Sequence, residues 1–148
     1  MTKSNRKEFG NVIGIEGIGG AILRAKDNAA INSLKAKFFA GQVEELIDKK
    51  LSRLEHPFIV VDPARRGLEK GVISLLHKYA PCAVAYISCS PRSMAEDLAQ
   101  FVSLGWRVTS IRAYDMIPNS AHIEMLAILE PDPNLLVRYR KPLRKVVR

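Results

Sequence analysis

A chain of 148 residues, 47% apolar and 26% charged, has the balance of one ordinary folded domain with a real core and is short for two. No apolar run approaches the roughly 20 residues that cross a membrane, and the polar residues 1–8 lead into no apolar secretory segment, so spanning and exported classes are not expected. Two cysteines, Cys82 and Cys89, with no C-x-x-C pair, argue against a disulfide framework or a cysteine metal cluster and point to a reducing cytoplasm, while the net charge of +8 points to a phosphate-rich partner or to solubility alone.

Strand and helix patterns alternate along the chain. Val12-Ile13-Gly14-Ile15 reads as a short strand ending at Glu16, and Ile22, Ala25, Ala29 and Ala30 then recur at helical spacing over 21–34. Gly14, Gly17, Gly19 and Gly20 surround Glu16 instead of preceding it by about 20 residues, so a phosphate-cradling fingerprint is in the wrong place. Residues 35–39 read as a strand and 42–54 as a helix with Val43, Leu46, Ile47 and Leu51 inward. Pro57 stops that helix, and Phe58-Ile59-Val60-Val61 has the continuous apolar character of a strand covered on both faces. A helix over 69–79, a strand over 83–87, a helix over 92–103 closed by Gly105, and strands near 106–113 and 122–129 follow. Residues 131–148 form a basic tail in which Arg138, Arg140, Lys141, Arg144, Lys145 and Arg148 crowd the end without an acid. The alternation predicts an α/β domain over 1–130 with a mostly parallel sheet, whose last two strands pair antiparallel at one edge.

Ligands in such folds bind beyond the carboxyl ends of the strands, where Glu16, Asp62 and Ser88-Cys89 all fall. An acid in the place of Glu16 suits vicinal ribose hydroxyls; its bland alternative is a solvated loop carboxylate. Pro63 biases Asp62 toward extended backbone at the strand tip, Arg65 and Arg66 suit phosphate, and Gly67 lets the loop turn. Cys89 enters the helix that follows, where the positive end of the macrodipole favours a thiolate, although buried inert thiols are the commoner fate; Cys82 is assigned to packing. His122 reads as a base or a surface residue, and Glu124 opens an otherwise apolar strand where a carboxylate is costly without partners, the alternative being that strand alternation exposes it.

Asp62-Pro63-Ala64-Arg65-Arg66-Gly67-Leu68, Ser88-Cys89-Ser90-Pro91, Tyr114-Asp115-Met116-Ile117-Pro118 and His122-Ile123-Glu124 together resemble the C-terminal half of the RNA uracil-5 methyltransferase family, over about residues 11–130. The resemblance implies a Rossmann-like class I S-adenosylmethionine-dependent methyltransferase fold and a product of 5-methyluridine in tRNA or rRNA. It implies that Cys89 attacks C6 of a flipped-out uracil and that Glu124 removes the C5 proton. Glu16, Asp62 and Gln42 correspond to donor-binding positions, with Arg65, Arg66, Arg92 and His122 toward the RNA and no metal. Ser-Cys-Ser-Pro replaces the family's S-C-N-P, and Gln42 stands where an acid or amide is expected. The first strand and its glycine-rich donor loop should precede Val12 and are not legible in residues 1–11, so the expectation is a truncated catalytic domain served by a complementing fragment or self-association. The alternative class is a catalytically inactive remnant or accessory RNA-binding protein.

Overall fold

The computed structural model describes residues 12–52, 54–120 and 122–136; the basic residues from Arg138 onward lie outside them. Along the chain these residues form β1 (Val12–Glu16), α1 (Gly19–Ile31), β2 (Ala36–Ala40), α2 (Val43–Leu51), β3 (Phe58–Val61), α3 (Val72–Lys78), β4 (Ala83–Ser88), α4 (Pro91–Ser103), β5 (Trp106–Tyr114), β6 (Glu124–Pro131) and α5 (Pro133–Leu136). They divide into two compact units, the first ending at Lys50 and the second starting at Leu51. Among the described residues no helix is long and apolar enough to cross a membrane.

In the first unit β1 and β2 pair in parallel from Val12–Ala36 to Glu16–Ala40, with α1 as the connection. Gly14 is required by close packing, because a Cβ there would lie 2.6 Å from the Phe38 ring. The helical stripe read from sequence is partly realised: Ile22 and Ala29 are buried, whereas Ala30 is exposed.

The second unit is a four-stranded sheet in the order β3-β4-β6-β5. β3 and β4 run parallel, and β6 inserts antiparallel between β4 and β5, leaving β5 at the edge. Alternation of side chains sorts this sheet into two faces. Val84, Tyr86, Ala127 and Leu129 share one face and are fully buried. Tyr86 hydrogen-bonds to α4, so that face lies under α4, which also contacts α3. Leu76, Met94 and Phe101 complete its core, and the Phe101 and Trp106 rings meet edge-on at 5.7 Å.

The opposite face carries Phe58, Val60, Ala85, Ile87, Leu126 and Ile128. Here the expectation that β3 is covered on both sides fails: Phe58 is 47% and Val60 58% exposed. β3 ends its sheet and these two side chains point away from α4, so the apolar run is half-buried on one face and exposed on the other. Element ends also shift: the helix read over 69–79 is α3, Val72–Lys78, entered at Gly71 in the left-handed region. α4 stops at Ser103, with Gly105 at φ +88° turning the chain toward β5 as its sequence position suggested.

Candidate active site

Strand pairing brings the central pair together. The β4–β6 ladder ends at Ser88–Met125, so Cys89 and Glu124 are each one residue from that last pair. Strand parity places Glu124 on the sheet face opposite α4, in line with Leu126, while Cys89 follows β4 in the bend that leads into α4. Across the next ladder Glu124 pairs with Tyr114. Both Cys89 and Glu124 are half-buried, so the thiol is neither sealed in hydrocarbon nor fully solvated. In the parallel pair Val61 stands beside Tyr86, so the next residue, Asp62, is level with Ile87 at the same rim.

The turn holding Cys89 is built by its serines. Ser88 is fully buried and its Oγ accepts the Ser90 N–H at 3.0 Å. Ser90 caps α4 by accepting the Ser93 N–H, and Pro91 at the first helical position has no N–H to leave unpaired. The loop after β3 is tied to the start of β6 by Arg65 Nη2 donating to His122 Nδ1 at 3.2 Å, since a guanidinium has no acceptor. Arg66 pairs with Glu69 and Arg92 with Glu96, both on the surface, where such pairs contribute little to stability.

In the first unit, Glu16 and Gln42 flank the carboxyl ends of β1 and β2. The Gly41 N–H donates to the Glu16 carbonyl at 3.0 Å, drawing the two segments together. Glu16 Oε1 accepts the Ile18 N–H at 2.8 Å, which orients the carboxylate while its other oxygen remains available to hydroxyl donors. A carboxylate and a carboxamide at strand ends suit the hydroxyls and exocyclic amine of a nucleoside, so this donor set fits such a group.

One residue that sequence reading passed over is Asp97. It is only 6% exposed and its Oδ2 accepts both the Leu68 N–H at 2.8 Å and the Tyr86 O–H at 2.5 Å. A signal existed, because Asp97 interrupts the apolar face Met94, Leu98, Phe101 on the buried side of α4. Cys82 corrects an expectation: it is exposed rather than packed, its Sγ reaching the Pro57 carbonyl at 3.5 Å. Among the described residues no cluster of His, Cys, Asp and Glu is arranged to hold a metal.

The family model for tRNA (uracil-5-)-methyltransferases matches residues 28–131. An uncharacterized RNA methyltransferase of Caldanaerobacter subterraneus subsp. tengcongensis is 41% identical over 122 residues, covering 80% of this chain and 26% of the relative. A 23S rRNA (uracil(1939)-C(5))-methyltransferase of Aliivibrio salmonicida is 35% identical over 121 residues, covering 80% and 27%. The crystal structure of Pyrococcus abyssi tRNA (uracil-54, C5)-methyltransferase in complex with S-adenosyl-L-homocysteine superposes with a TM-score of 0.68 at 32% identity, over 80% of this chain and 28% of that one. The chain thus spans about a quarter of the length of these proteins. The fold is the Rossmann-like class I methyltransferase fold.

Proposed function

Because the chain belongs to the tRNA (uracil-5-)-methyltransferase family, we propose that it serves methylation of uridine C5 in tRNA or rRNA through a covalent adduct at Cys89. The observation that supports this reading is the β4–β6 ladder, whose last pair, Ser88–Met125, is one residue from Cys89 on one strand and from Glu124 on the other.

Uracil C5 is a weak nucleophile until electron density is pushed into it from C6. The Cys89 thiolate adds to C6, forming the S–C6 bond and sending the C5–C6 electron pair toward C5 and O4. C5 is then nucleophilic and gains the methyl group. Glu124 takes the C5 proton, the C5–C6 double bond reforms, and the S–C6 bond breaks to release the thiolate. A nucleophile and a base on neighbouring strands suit this sequence, because addition and elimination act on adjacent ring atoms. S-adenosylmethionine supplies an electrophilic methyl group when bound; within the first unit Glu16 and Gln42 are the residues that would hold it, by their carboxylate and amide groups. Arg65, Arg66, Arg92 and His122 are assigned to the RNA backbone and the extruded base, whose unstacking costs a few kcal/mol. β1 and β3 each pair on one side only among the described residues, and a complementing fragment or a second copy would add a strand at such an edge.

The test is incubation with S-adenosylmethionine and an RNA carrying 5-fluorouridine, because fluorine at C5 blocks the final proton removal. A denaturing gel should show a protein–RNA adduct that Cys89→Ala abolishes and Cys82→Ser preserves. An adduct unchanged in Cys89→Ala would refute the assignment. RNA retention on a filter without any adduct would favour the accessory RNA-binding reading instead.

A further inference from the structure

The Asp62–Leu68 loop and the Cys89 turn are joined by one buried carboxylate. Asp97 Oδ2 receives the Tyr86 O–H, which closes the arch running from β4 through Cys89 into α4. The same oxygen receives the Leu68 N–H, which docks the loop after β3 onto that helix. One helical turn earlier, Ser93 Oγ donates to the Arg65 carbonyl at 2.9 Å. Gly67 lies between these two bonds at φ +88°, and a Cβ there would sit 2.7 Å from Asp97 Oδ2 and 3.3 Å from Ser93 Cβ. Loop and helix therefore meet without a side chain between them, at two bonds to buried groups.

A buried carboxylate is costly unless its oxygens are matched with donors, so an acid kept at this point implies a requirement that an apolar residue would not meet. We propose that Asp97, assisted by Ser93, is a positioning residue that clasps the Asp62–Leu68 loop to α4 and so fixes Asp62 and Arg65 relative to Cys89. The clasp rests on the uracil reading for its consequence, because it aligns the groups that reading employs. Its reach extends to β6, since Arg65 in turn holds His122, two residues before Glu124. Three segments that are distant in sequence are thereby indexed to one helix.

Two measurements on the full chain test the clasp separately from the chemistry. By amide hydrogen exchange, Asp97→Ala should expose the Leu68 N–H at least about tenfold faster, while amides of β4 keep wild-type protection. With 5-fluorouridine RNA, Asp97→Ala should lower the limiting rate of adduct formation at saturating RNA by about tenfold or more, whatever rise the loosened Arg65 brings in the RNA concentration at half-saturation. Asp97→Asn, which keeps an acceptor oxygen of the same shape, should return the rate to within about threefold of wild type. A folded Asp97→Ala with wild-type exchange at Leu68, or with a wild-type limiting rate, overturns the proposal. If Asp97→Ala does not fold, Ser93→Ala carries the same test through exchange of residues 65–68, and wild-type exchange and rate there overturn it. A wild-type chain that forms no adduct refutes the uracil reading, and exchange at Leu68 then decides the clasp alone.

Discussion

Gly67 and Gly71 offer an internal comparison. Both lie in the left-handed region, at φ +88° and +89°, but an added Cβ meets Asp97 Oδ2 at 2.7 Å at the first and nothing within 4 Å at the second. Left-handed backbone costs an L residue about 1–2 kcal/mol, partly offset by about 0.4–1 kcal/mol from the stiffer unfolded chain, so Gly71→Ala should destabilise by about 1 kcal/mol. Gly67→Ala carries that cost and must also displace Asp97 or the loop. Losing the Leu68 bond to a charged acceptor adds about 1.5–3 kcal/mol. The expected gap between the two variants is thus about 2 kcal/mol. Trp106 is the only tryptophan in the chain and is 4% exposed in the core of the second unit, so its fluorescence follows that unit through urea unfolding. At about 1–2 kcal/mol per molar urea, the two midpoints should differ by about 1–2 M. In an Asp97→Ala background the extra cost of Gly67→Ala should shrink toward that of Gly71→Ala. Equal midpoints for the two single variants, or an extra cost that persists without Asp97, would refute the reasoning.

Other substitutions probe the same unit. Burial, then the hydrogen bond and charge of Asp97, push the Tyr86 phenol above its ordinary value of 10.0. The folded protein keeps a proton that the unfolded chain releases, so this contribution is complete below about pH 10 and lost above it at up to about 1.4 kcal/mol per pH unit. Tyr86→Phe should flatten that alkaline fall in urea titrations between pH 9 and 11, and an unaltered slope would count against it. Phe101→Ala empties a fully buried site against Trp106 and should cost about 3–5 kcal/mol, read from the same fluorescence. Ser90→Ala removes the cap of α4 and should cost about 1 kcal/mol in the same titration.

Much of this architecture is legible in local patterns, because helix spacing and strand runs report burial directly. Ser90-Pro91 marks the start of α4 and Gly105 its end through cap chemistry that needs no tertiary information. What escapes is set by pairing over distance. Nothing local states that β6 enters between β4 and β5, yet that placement is what pairs Met125 with Ser88 and Glu124 with Tyr114. Phe58 and Val60 look like a strand covered on both sides because composition records apolarity but not whether a neighbour exists. Asp97 was hidden for a related reason: its partners, Leu68 and Tyr86, lie 29 and 11 residues away. Cys82 lies beside an apolar strand in sequence and still ends at the surface, since the turn after α3 carries it out.

The facing proposed for Cys89 and Glu124 depends on parity, and parity can be reversed without changing composition. Ile123 precedes β6 and Glu124 opens it, so exchanging them, as Ile123→Glu with Glu124→Ile, takes the carboxylate out of phase with Leu126 and Ile128. The chemistry can be followed without a methyl donor. Addition of the thiolate at C6 lets C5 take a deuteron from heavy water; removal of the original proton and elimination then return uridine labelled at C5. That cycle needs both the thiol and the base but no methyl group. Mass spectrometry of uridine recovered from RNA should show C5 labelling with the wild-type chain and none with Cys89→Ala. In the exchanged pair and in Glu124→Gln, labelling should fall by at least about a hundredfold, the usual worth of a positioned base. Labelling that survives the exchange at the wild-type rate would mean that the base is some other group, and that the register between β4 and β6 does not carry the chemistry.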